Sequence, residues 1–222
     1  QFLFSRFAKD GNPKLPFFNR ASFYRSLYLK SLLDNVSLLP GAIVECGVGQ
    51  GRGLAMWLSL IITEGSKRSI WALDSFEGFP ALVDEDEASS SFEEGLGDYR
   101  QFDIPYVLKT LADFGISKCE IDRHLSILKG FIPDCCCNYN GGDIAVLYID
   151  LDIYEGYRDA LAFFYDKVIP GGVIAFDEYG KPLDVHKWPG AAKAINEFLL
   201  SHDLFDSLMT CPFTGNKYVI KP

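Results

Sequence analysis

The sequence has 222 residues, a length that one compact domain accommodates. Hydrophobic residues make up 48% of it and charged residues 23%, which excludes a disordered chain and a fibrous repeat. The 21 basic and 30 acidic residues give a formal net charge of -9. A general nucleic-acid-binding surface carries the opposite sign, so we expect no nucleic-acid partner.

Membrane-spanning and disulfide-rich classes are also excluded. No apolar run approaches the roughly 18–20 residues that a helix needs to cross a bilayer, so we expect no membrane partner. Three of the six cysteines are consecutive, at Cys135–Cys137, which matches neither a disulfide framework nor the C-x-x-C spacing of zinc sites. Reduced thiols and a cytoplasmic location are therefore expected. A redox or metal cluster at these cysteines is the alternative.

Short apolar runs that predict β-strands recur along the chain. Most are apolar at nearly every position, which is typical of parallel strands covered on both faces. In chain order, five such runs are followed by two predicted strands in the tail: 42–44, 69–73, 125–128, 144–149, 172–176, 205–209 and 217–220.

Amphipathic patterns between these runs predict helices. Apolar residues recur at three- and four-residue spacing over about 54–63, 107–114, 157–168 and 191–202. Alternating β and α units predict an α/β fold, with a doubly wound, mostly parallel sheet of about seven strands and helices on both faces.

We predict a single domain over residues 1–222, because the sequence contains no linker, repeat or second composition.

Two segments lie outside the alternating strands and helices. Residues 1–40 include the basic and aromatic stretch 20–25 and predict a helical segment that precedes the sheet. Residues 78–103 are rich in Asp, Glu and Ser. They form either a solvated acidic loop or a lid over a site.

Carboxylates end four of the predicted strands, as Glu45, Asp74, Asp150 and Asp177. The carboxyl ends of parallel strands share one edge of a sheet, where doubly wound folds bind ligands. One such acid can simply cap a helix, but four at one edge repel one another without a ligand or a cation. The sequence therefore predicts a ligand site at this edge.

The loop after the first strand carries Gly47, Gly49 and Gly51 behind Glu45, directly before a predicted helix. Such glycines permit a tight turn and let a ligand approach the backbone at a helix N-terminus. The G-x-G-x-x-G spacing of dinucleotide-binding loops is absent. This favours a compact ligand without a pyrophosphate, such as S-adenosylmethionine (SAM). A plain structural turn is the alternative.

Two later positions suit a nucleoside. Asp74 ends the second strand, where a carboxylate can accept hydrogen bonds from both ribose hydroxyls. Its alternative role is a helix cap, because Asp74 and Glu77 have capping-box spacing. After the third strand, Gly130 leaves room for a flat adenine and Phe131 can cover it.

Three acids near the fourth and fifth strands predict a cation site. Asp150, Asp177 and Glu178 offer hard oxygen donors, which suit Mg²⁺, Mn²⁺ or Ca²⁺ rather than zinc. Solvated carboxylates at the sheet edge are the alternative. Asp152 is either a proton acceptor or a helix cap, because Asp152 and Glu155 also have capping-box spacing.

These motifs, in this order, resemble one family. They are Glu-Cys-Gly-Val at 45–48, Asp-Ser-Phe-Glu-Gly-Phe-Pro at 74–80, Lys-Gly-Phe at 129–131, Ile-Asp-Leu-Asp-Ile-Tyr at 149–154, Pro-Gly-Gly at 170–172 and Asp-Glu-Tyr-Gly at 177–180. The set is similar to the macrocin O-methyltransferase family, SAM- and divalent-metal-dependent enzymes that methylate sugar hydroxyls of natural products. The resemblance covers about residue 20 to the C-terminus.

The resemblance implies a cofactor site, a cation site and a base. The same acids, Asp150, Asp177 and Glu178, would bind the cation (Mg²⁺ first, Ca²⁺ or Mn²⁺ as alternatives), and Asp152 would be the general base. The family usually carries Asp-Asp-Tyr-Gly, so Glu178 is a departure that puts the cation or substrate position in question. The residues around SAM would be Glu45, Gly47, Gly49, Gly51, Asp74, Ser75, Phe76, Gly130, Phe131 and Asp150.

We therefore expect a SAM- and metal-dependent O-methyltransferase whose partner is a small-molecule hydroxyl acceptor, such as a sugar or another small polyol. His186 is a second candidate base. One rival interpretation is a SAM- or metal-binding interaction protein without turnover. Another is a nucleotide-binding oxidoreductase, which the missing G-x-G-x-x-G spacing disfavours. The aromatic N-terminal segment offers a surface for a homodimer.

Overall fold

The computed structural model describes residues 19–86, 102–180 and 187–222. The larger part of the predicted acidic lid, 87–101, lies outside the described residues. So do the first 18 residues of the predicted N-terminal segment and the candidate base His186.

A seven-stranded sheet forms the centre of the fold, in the order β3-β2-β1-β4-β5-β7-β6. Strands β1 to β5 run parallel, and β7 pairs antiparallel with both β5 and β6. The strands are β1 (Ala42–Cys46), β2 (Ile70–Asp74), β3 (Leu125–Lys129), β4 (Ile144–Ile149), β5 (Val168–Phe176), β6 (Met209–Thr210) and β7 (Lys217–Ile220). This architecture confirms the predicted doubly wound α/β sheet.

Six α-helices cover the sheet within the described residues. Helices α1 to α4 pack on one face, and α5 and α6 pack on the other together with a 3₁₀ turn at Asp134–Asn138. Each face has its own buried apolar cluster, which explains why the central strands are apolar throughout. The helices are α1 (Arg20–Asn35), α2 (Arg52–Thr63), α3 (Ile104–Asp113), α4 (Lys118–His124), α5 (Tyr154–Phe164) and α6 (Pro189–Ser201).

The strand order reverses between β1 and β4, which lie side by side at the centre of the sheet. Chain connections leave in opposite directions from this point, and a crevice opens at the carboxyl ends of the two strands. Hydrogen bonds extend the ladder past the strand ends: Asp150 N–H donates to the Cys46 carbonyl (2.8 Å), and Asp177 N–H donates to the Ile149 carbonyl (3.0 Å). Both acids are therefore held at the crevice by backbone bonds.

Four details differ from the sequence prediction. Glu45 lies inside β1, paired with Ala72 and Tyr148, rather than at the end of the strand. Val168 begins β5 instead of ending the preceding helix. The predicted strand 205–209 is mostly a 3₁₀ turn, because its apolar side chains are exposed at the sheet edge and β6 is only two residues long. Helix α4 was not predicted, since it is short and lacks an apolar stripe; a capping box at Ser117 starts it.

No helix among the described residues is long and apolar enough to cross a membrane.

Candidate functional site

A cavity of about 490 Å³ opens at the carboxyl ends of the central strands. It brings together most of the predicted site residues, although they come from five separate segments of the chain. Gly51 and Phe76 are not among its lining residues: Gly51 precedes α2, and the Phe76 side chain packs in the core. The predicted residues that line it are Glu45, Gly47, Gly49, Asp74, Ser75, Gly130, Phe131, Asp150, Asp152, Asp177 and Glu178.

The glycine loop brings the start of α2 and the β4 end close together. Gly47 has φ +90°, and a Cβ there would fall 1.8 Å from the Asp150 carbonyl oxygen. At Gly53, in the first turn of α2, a Cβ would fall 2.4 Å from Glu45 Oε1. The backbone contact therefore requires glycine at position 47, whereas a Cβ at Gly53 would displace the buried Glu45 carboxyl.

Glu45 is a buried acid on the cavity wall, with only 2% of its surface exposed. Among the described residues, its Oε2 has no hydrogen-bond partner. Burial raises the pKa of this carboxyl well above its ordinary value of 4.5. A buried carboxyl oxygen without a donor is costly, so this position suits a ligand that brings a cationic donor.

Asp74 ties the end of β2 to the glycine loop. Its Oδ2 accepts hydrogen bonds from the N–H groups of Val48 (2.8 Å) and Gly49 (3.0 Å), and its Oδ1 accepts one from Phe76 N–H (2.7 Å). The residues directly after Asp74 do not form a helix, since the next helical turn along the chain is the 3₁₀ turn at Asp84–Asp86, so the capping alternative is wrong. Asp74 instead shapes the loop and presents its carboxylate to the cavity.

Asp150, Asp177 and Glu178 form a carboxylate cluster in which one ligand atom from each residue lies within 4.8 Å of the other two. The last two come from the segment that follows β5, and Asp150 follows β4. Burial raises the pKa of the Asp150 carboxyl, and it raises that of Glu178 well above its ordinary value. Such hard oxygen donors match the preference of Mg²⁺, Mn²⁺ and Ca²⁺.

Two tyrosines on the sheet and on α5 hold this carboxylate cluster. Tyr148 OH donates to Asp177 Oδ1 (2.7 Å), and Tyr157 OH donates to Glu178 Oε2. The Asn216 amide also donates to Asp177 Oδ1 at 3.3 Å. The longer Glu178 side chain therefore still reaches the carboxylate cluster, with Tyr157 fixing one of its oxygens.

Arg25, on α1, contacts the same carboxylate cluster from the opposite face. Its Nη2 lies 2.5 Å from Asp150 Oδ2 and 3.5 Å from Asp177 Oδ1, and it donates to Tyr148 OH at 2.7 Å. Although burial lowers the pKa of the guanidinium, its acidic neighbours raise that pKa well above the ordinary value overall. Arg25 was not among the site residues predicted from the sequence.

Asp152 lies at the centre of a three-residue turn beside the carboxylate cluster. Its φ is +63°, and the Ile153 N–H donates to the Leu151 carbonyl at 2.7 Å. This is a γ-turn of the strained kind, at a residue that is not glycine. Burial, followed by the charges of Asp150 and Asp177, raises the pKa of the Asp152 carboxyl well above its ordinary value. Helix α5 begins with Ile153 as its N-cap, so Asp152 does not cap it.

The cap of α5 comes from a distant acid instead. Asp86, buried to 1% exposure, accepts a hydrogen bond on Oδ1 from Tyr154 N–H (3.0 Å). Gly190, at the start of α6, has no room for a Cβ, because it would fall 1.8 Å from Asp86 Oδ1. The neighbouring Glu85 forms an ion pair with Lys193 (3.0 Å). Asp86 and Glu85 thus dock the end of this described part of the acidic segment on α5 and α6, whereas Asp84 beside them is exposed.

Aromatic side chains form the far wall of the cavity. Phe79 and Trp188 lie with ring centroids 6.5 Å apart, and Lys187 Nζ is 4.9 Å from the Trp188 ring centroid. Phe102 also lines this end. This wall was not predicted from the sequence, since its members are scattered over more than 100 positions of the chain.

The consecutive cysteines lie behind the cavity, in the 3₁₀ turn that packs below Gly130. A Cβ on Gly130 would fall 3.0 Å from Cys135 Cβ, and Cys135 and Cys136 are both buried. They belong to the apolar cluster on this face of the sheet.

Comparison with known proteins is consistent with this site. The family model described as Macrocin-O-methyltransferase (TylF) matches residues 26–218. Mycinamicin III 3''-O-methyltransferase from Micromonospora griseorubida is 28% identical over 178 residues, and demethyldecarbamoylnovobiocin O-methyltransferase from Streptomyces niveus is 25% identical over 192 residues. These alignments cover 77% and 80% of this chain but only 65% of each relative. The chain thus spans about two thirds of the length of the curated relatives it matches.

Solved structures support the same fold. The crystal structure of CalS11, a calicheamicin methyltransferase, is 26% identical and superimposes with a TM-score of 0.74, covering 93% of this chain and 82% of that one.

Proposed function

Because the chain belongs to the macrocin O-methyltransferase family, we propose that it transfers a methyl group from SAM to a hydroxyl of a small-molecule acceptor. We further propose that a divalent cation takes part, held by Asp150, Asp177 and Glu178. The observation that carries both is the convergence, in one cavity, of the glycine loop and this carboxylate cluster.

The residues at the glycine loop fit SAM. Glu45 offers an unpartnered buried oxygen that suits the ammonium group of the methionine moiety. Asp74 lies at the end of β2, where a carboxylate can accept hydrogen bonds from ribose hydroxyls. Gly130 and Phe131 line the same cavity and would contact the adenine.

The carboxylate cluster fits a hard dication, because three carboxylates offer ligand atoms within 4.8 Å of one another. It already holds a cationic side chain, the Arg25 guanidinium, which is consistent with a position that favours positive charge. Tyr148 and Tyr157 would orient the ligand oxygens through their hydrogen bonds to Asp177 and Glu178.

When bound, SAM supplies an electrophilic methyl group and the cation supplies acidity to the acceptor hydroxyl. Asp152 would accept the hydroxyl proton, since its turn points this acid into the same cavity. Burial and the charges of Asp150 and Asp177 raise the pKa of this carboxyl, which makes the ionised form a stronger proton acceptor. The carboxylate cluster and the glycine loop would hold the two reactants at one edge of the sheet, which supplies orientation.

For the acceptor, we propose a sugar hydroxyl on a natural product. One relative from Streptomyces olivaceus, 28% identical over 145 residues, is named 8-demethyl-8-(2,3-dimethoxy-alpha-L-rhamnosyl)-tetracenomycin-C 4'-O-methyltransferase, a name that contains a rhamnosyl group. The wall formed by Phe79, Phe102 and Trp188 would contact the apolar part of the acceptor, in line with the largely apolar lining of small-molecule sites.

The test is release of S-adenosylhomocysteine with a panel of acceptors that includes mycinamicin III and simple nitrophenyl glycosides. We expect acceptor-dependent release, and calorimetric binding of SAM without binding of NADH. SAM binding with no release on any acceptor would favour an interaction protein without turnover. Binding of NADH in place of SAM would favour an oxidoreductase and overturn the proposal.

A further inference from the structure

Arg25 occupies an unusual place on α1. The buried residues Tyr28, Leu29 and Leu32 follow it at helical spacing, so Arg25 lies on the face of α1 that packs against the sheet. The Arg25 side chain is half-buried, and a charge that is partly withdrawn from water needs partners. The partners of Arg25 are the acids at the crevice, more than 120 positions later in the chain.

The guanidinium lies on two of the three acids of the carboxylate cluster. Nη2 is 2.5 Å from Asp150 Oδ2 and 3.5 Å from Asp177 Oδ1. Its hydrogen bond to Tyr148 OH holds it in place, and Tyr148 OH in turn donates to Asp177 Oδ1. One cation therefore already bridges these two carboxylates in the structure.

We propose that Arg25 is an internal counter-cation of the carboxylate cluster, which its guanidinium neutralises until a dication displaces it from Asp150 and Asp177. The inference rests on the proposed function, because it takes the dication as given. The inference adds a residue that competes with the dication. This residue lies on α1, which contributes none of the three acids of the carboxylate cluster.

Displacement follows from electrostatics. A dication that contacts all three acids must lie close to the oxygens that Arg25 contacts, since the ligand atoms lie within 4.8 Å of one another. The dication and the guanidinium would then be like charges a few ångströms apart in a partly buried site, where repulsion is strong. Because only molecules in which Arg25 has left can bind the dication tightly, the apparent affinity equals the intrinsic affinity multiplied by the fraction of molecules in which Arg25 has left.

The experiment measures Mn²⁺ binding by electron paramagnetic resonance on EDTA-treated protein without SAM or acceptor. The variant is Arg25→Met, which keeps the length of the side chain and removes its charge. The control is Arg20→Met, which removes the same charge from the exposed first residue of α1. We expect Arg25→Met to bind Mn²⁺ at least tenfold more tightly than the wild type, and Arg20→Met to stay within twofold.

Thermal unfolding keeps the test decisive if Arg25→Met is less stable. Mn²⁺ should raise the midpoint temperature of thermal unfolding of Arg25→Met more than that of the wild type. Equal or weaker Mn²⁺ binding by Arg25→Met would overturn the inference and leave the proposed function standing. If neither protein binds Mn²⁺ at millimolar concentration, the cation site itself is wrong, and the inference fails with it.

Discussion

The backbone of Gly47 lies directly against the carbonyl group of Asp150, so a Cβ on Gly47 would fall 1.8 Å from that oxygen. This contact joins the two halves of the cavity. Gly47 begins the loop that would bind SAM, and Asp150 begins the segment that would bind the cation. The spacing between the proposed SAM and cation sites would therefore be set by a glycine that no other residue can replace without moving one of the strands.

Gly47→Ala should push the loop at Gly47 away from the Asp150 carbonyl and so separate the two halves of the cavity. The positive φ of Gly47 alone costs an alanine about 1–2 kcal/mol, and the clash with Asp150 adds to it. We expect a lower free energy of unfolding in urea and weaker S-adenosylhomocysteine binding in calorimetry. The control is Gly65→Ala, where φ is +64° but nothing lies within 4 Å. It should lose stability without losing affinity. Equal affinity losses for the two variants would contradict this account.

Asp74→Ala should weaken S-adenosylhomocysteine binding by roughly tenfold to a hundredfold, because hydrogen bonds to a charged acceptor contribute about 1.5–3 kcal/mol. The structure adds a second cause: the variant also frees the N–H groups of Val48 and Gly49. Calorimetry on the folded variant measures the loss. The exposed Asp84 provides a control, Asp84→Ala, that should bind normally. Unchanged affinity in Asp74→Ala would remove this residue from the site.

Glu45→Gln should make the ligand-free protein more stable at high pH. Burial raises the pKa of Glu45 above 4.5, so the folded chain keeps this proton over a range in which the unfolded chain has lost it. The stability that Glu45 contributes is then complete below about pH 4.5 and is lost as the pH rises through the folded-state pKa. Glutamine stays neutral throughout.

Urea unfolding of both proteins at several pH values from 5 to 8 measures the effect. The difference in the free energy of unfolding should grow with pH in favour of Glu45→Gln, while its affinity for S-adenosylhomocysteine falls. A difference that stays constant with pH would mean that Glu45 does not titrate abnormally in the fold.

Asp86→Ala should destabilise the start of α5. The variant removes the acceptor for Tyr154 N–H, and loss of a helix cap costs about 0.5–2 kcal/mol. Thermal or urea unfolding measures the loss of stability. The control is Asp84→Ala, because Asp84 lies in the same 3₁₀ turn but is exposed; this variant should change stability by less than about 0.5 kcal/mol. Equal effects of the two variants would show that the docking of Asp86 contributes nothing.

Much of the sheet could be predicted because buried parallel strands are apolar along their whole length. This signal predicted β4 with the correct boundaries, and it therefore also placed Asp150 directly after the strand. The same signal failed for the tail, where the apolar residues Phe205 and Met209 are exposed at the sheet edge. It also misplaced Glu45, since an acid inside a buried strand contradicts the pattern by which strands are recognised.

The missed parts of the site come from contacts that are distant in sequence. Asp86 is one of several neighbouring acids, and only its hydrogen bond to Tyr154 distinguishes it from the exposed Asp84. Arg25 could have been noticed from its helical phase, because Tyr28 and Leu29 share its face of α1. Its carboxylate partners, however, depend on how α1 packs on the sheet, which local patterns do not specify.

Under the proposed function, methyl transfer needs both SAM and a dication at the carboxylate cluster. The most direct measurement is transfer of a labelled methyl group from SAM to an acceptor identified by the panel, by EDTA-treated enzyme with and without added Mg²⁺. The control is Asp150→Asn. We predict transfer only with Mg²⁺, and loss of transfer by Asp150→Asn while S-adenosylhomocysteine affinity stays within a few fold. Full-rate transfer by metal-free enzyme would contradict the claim.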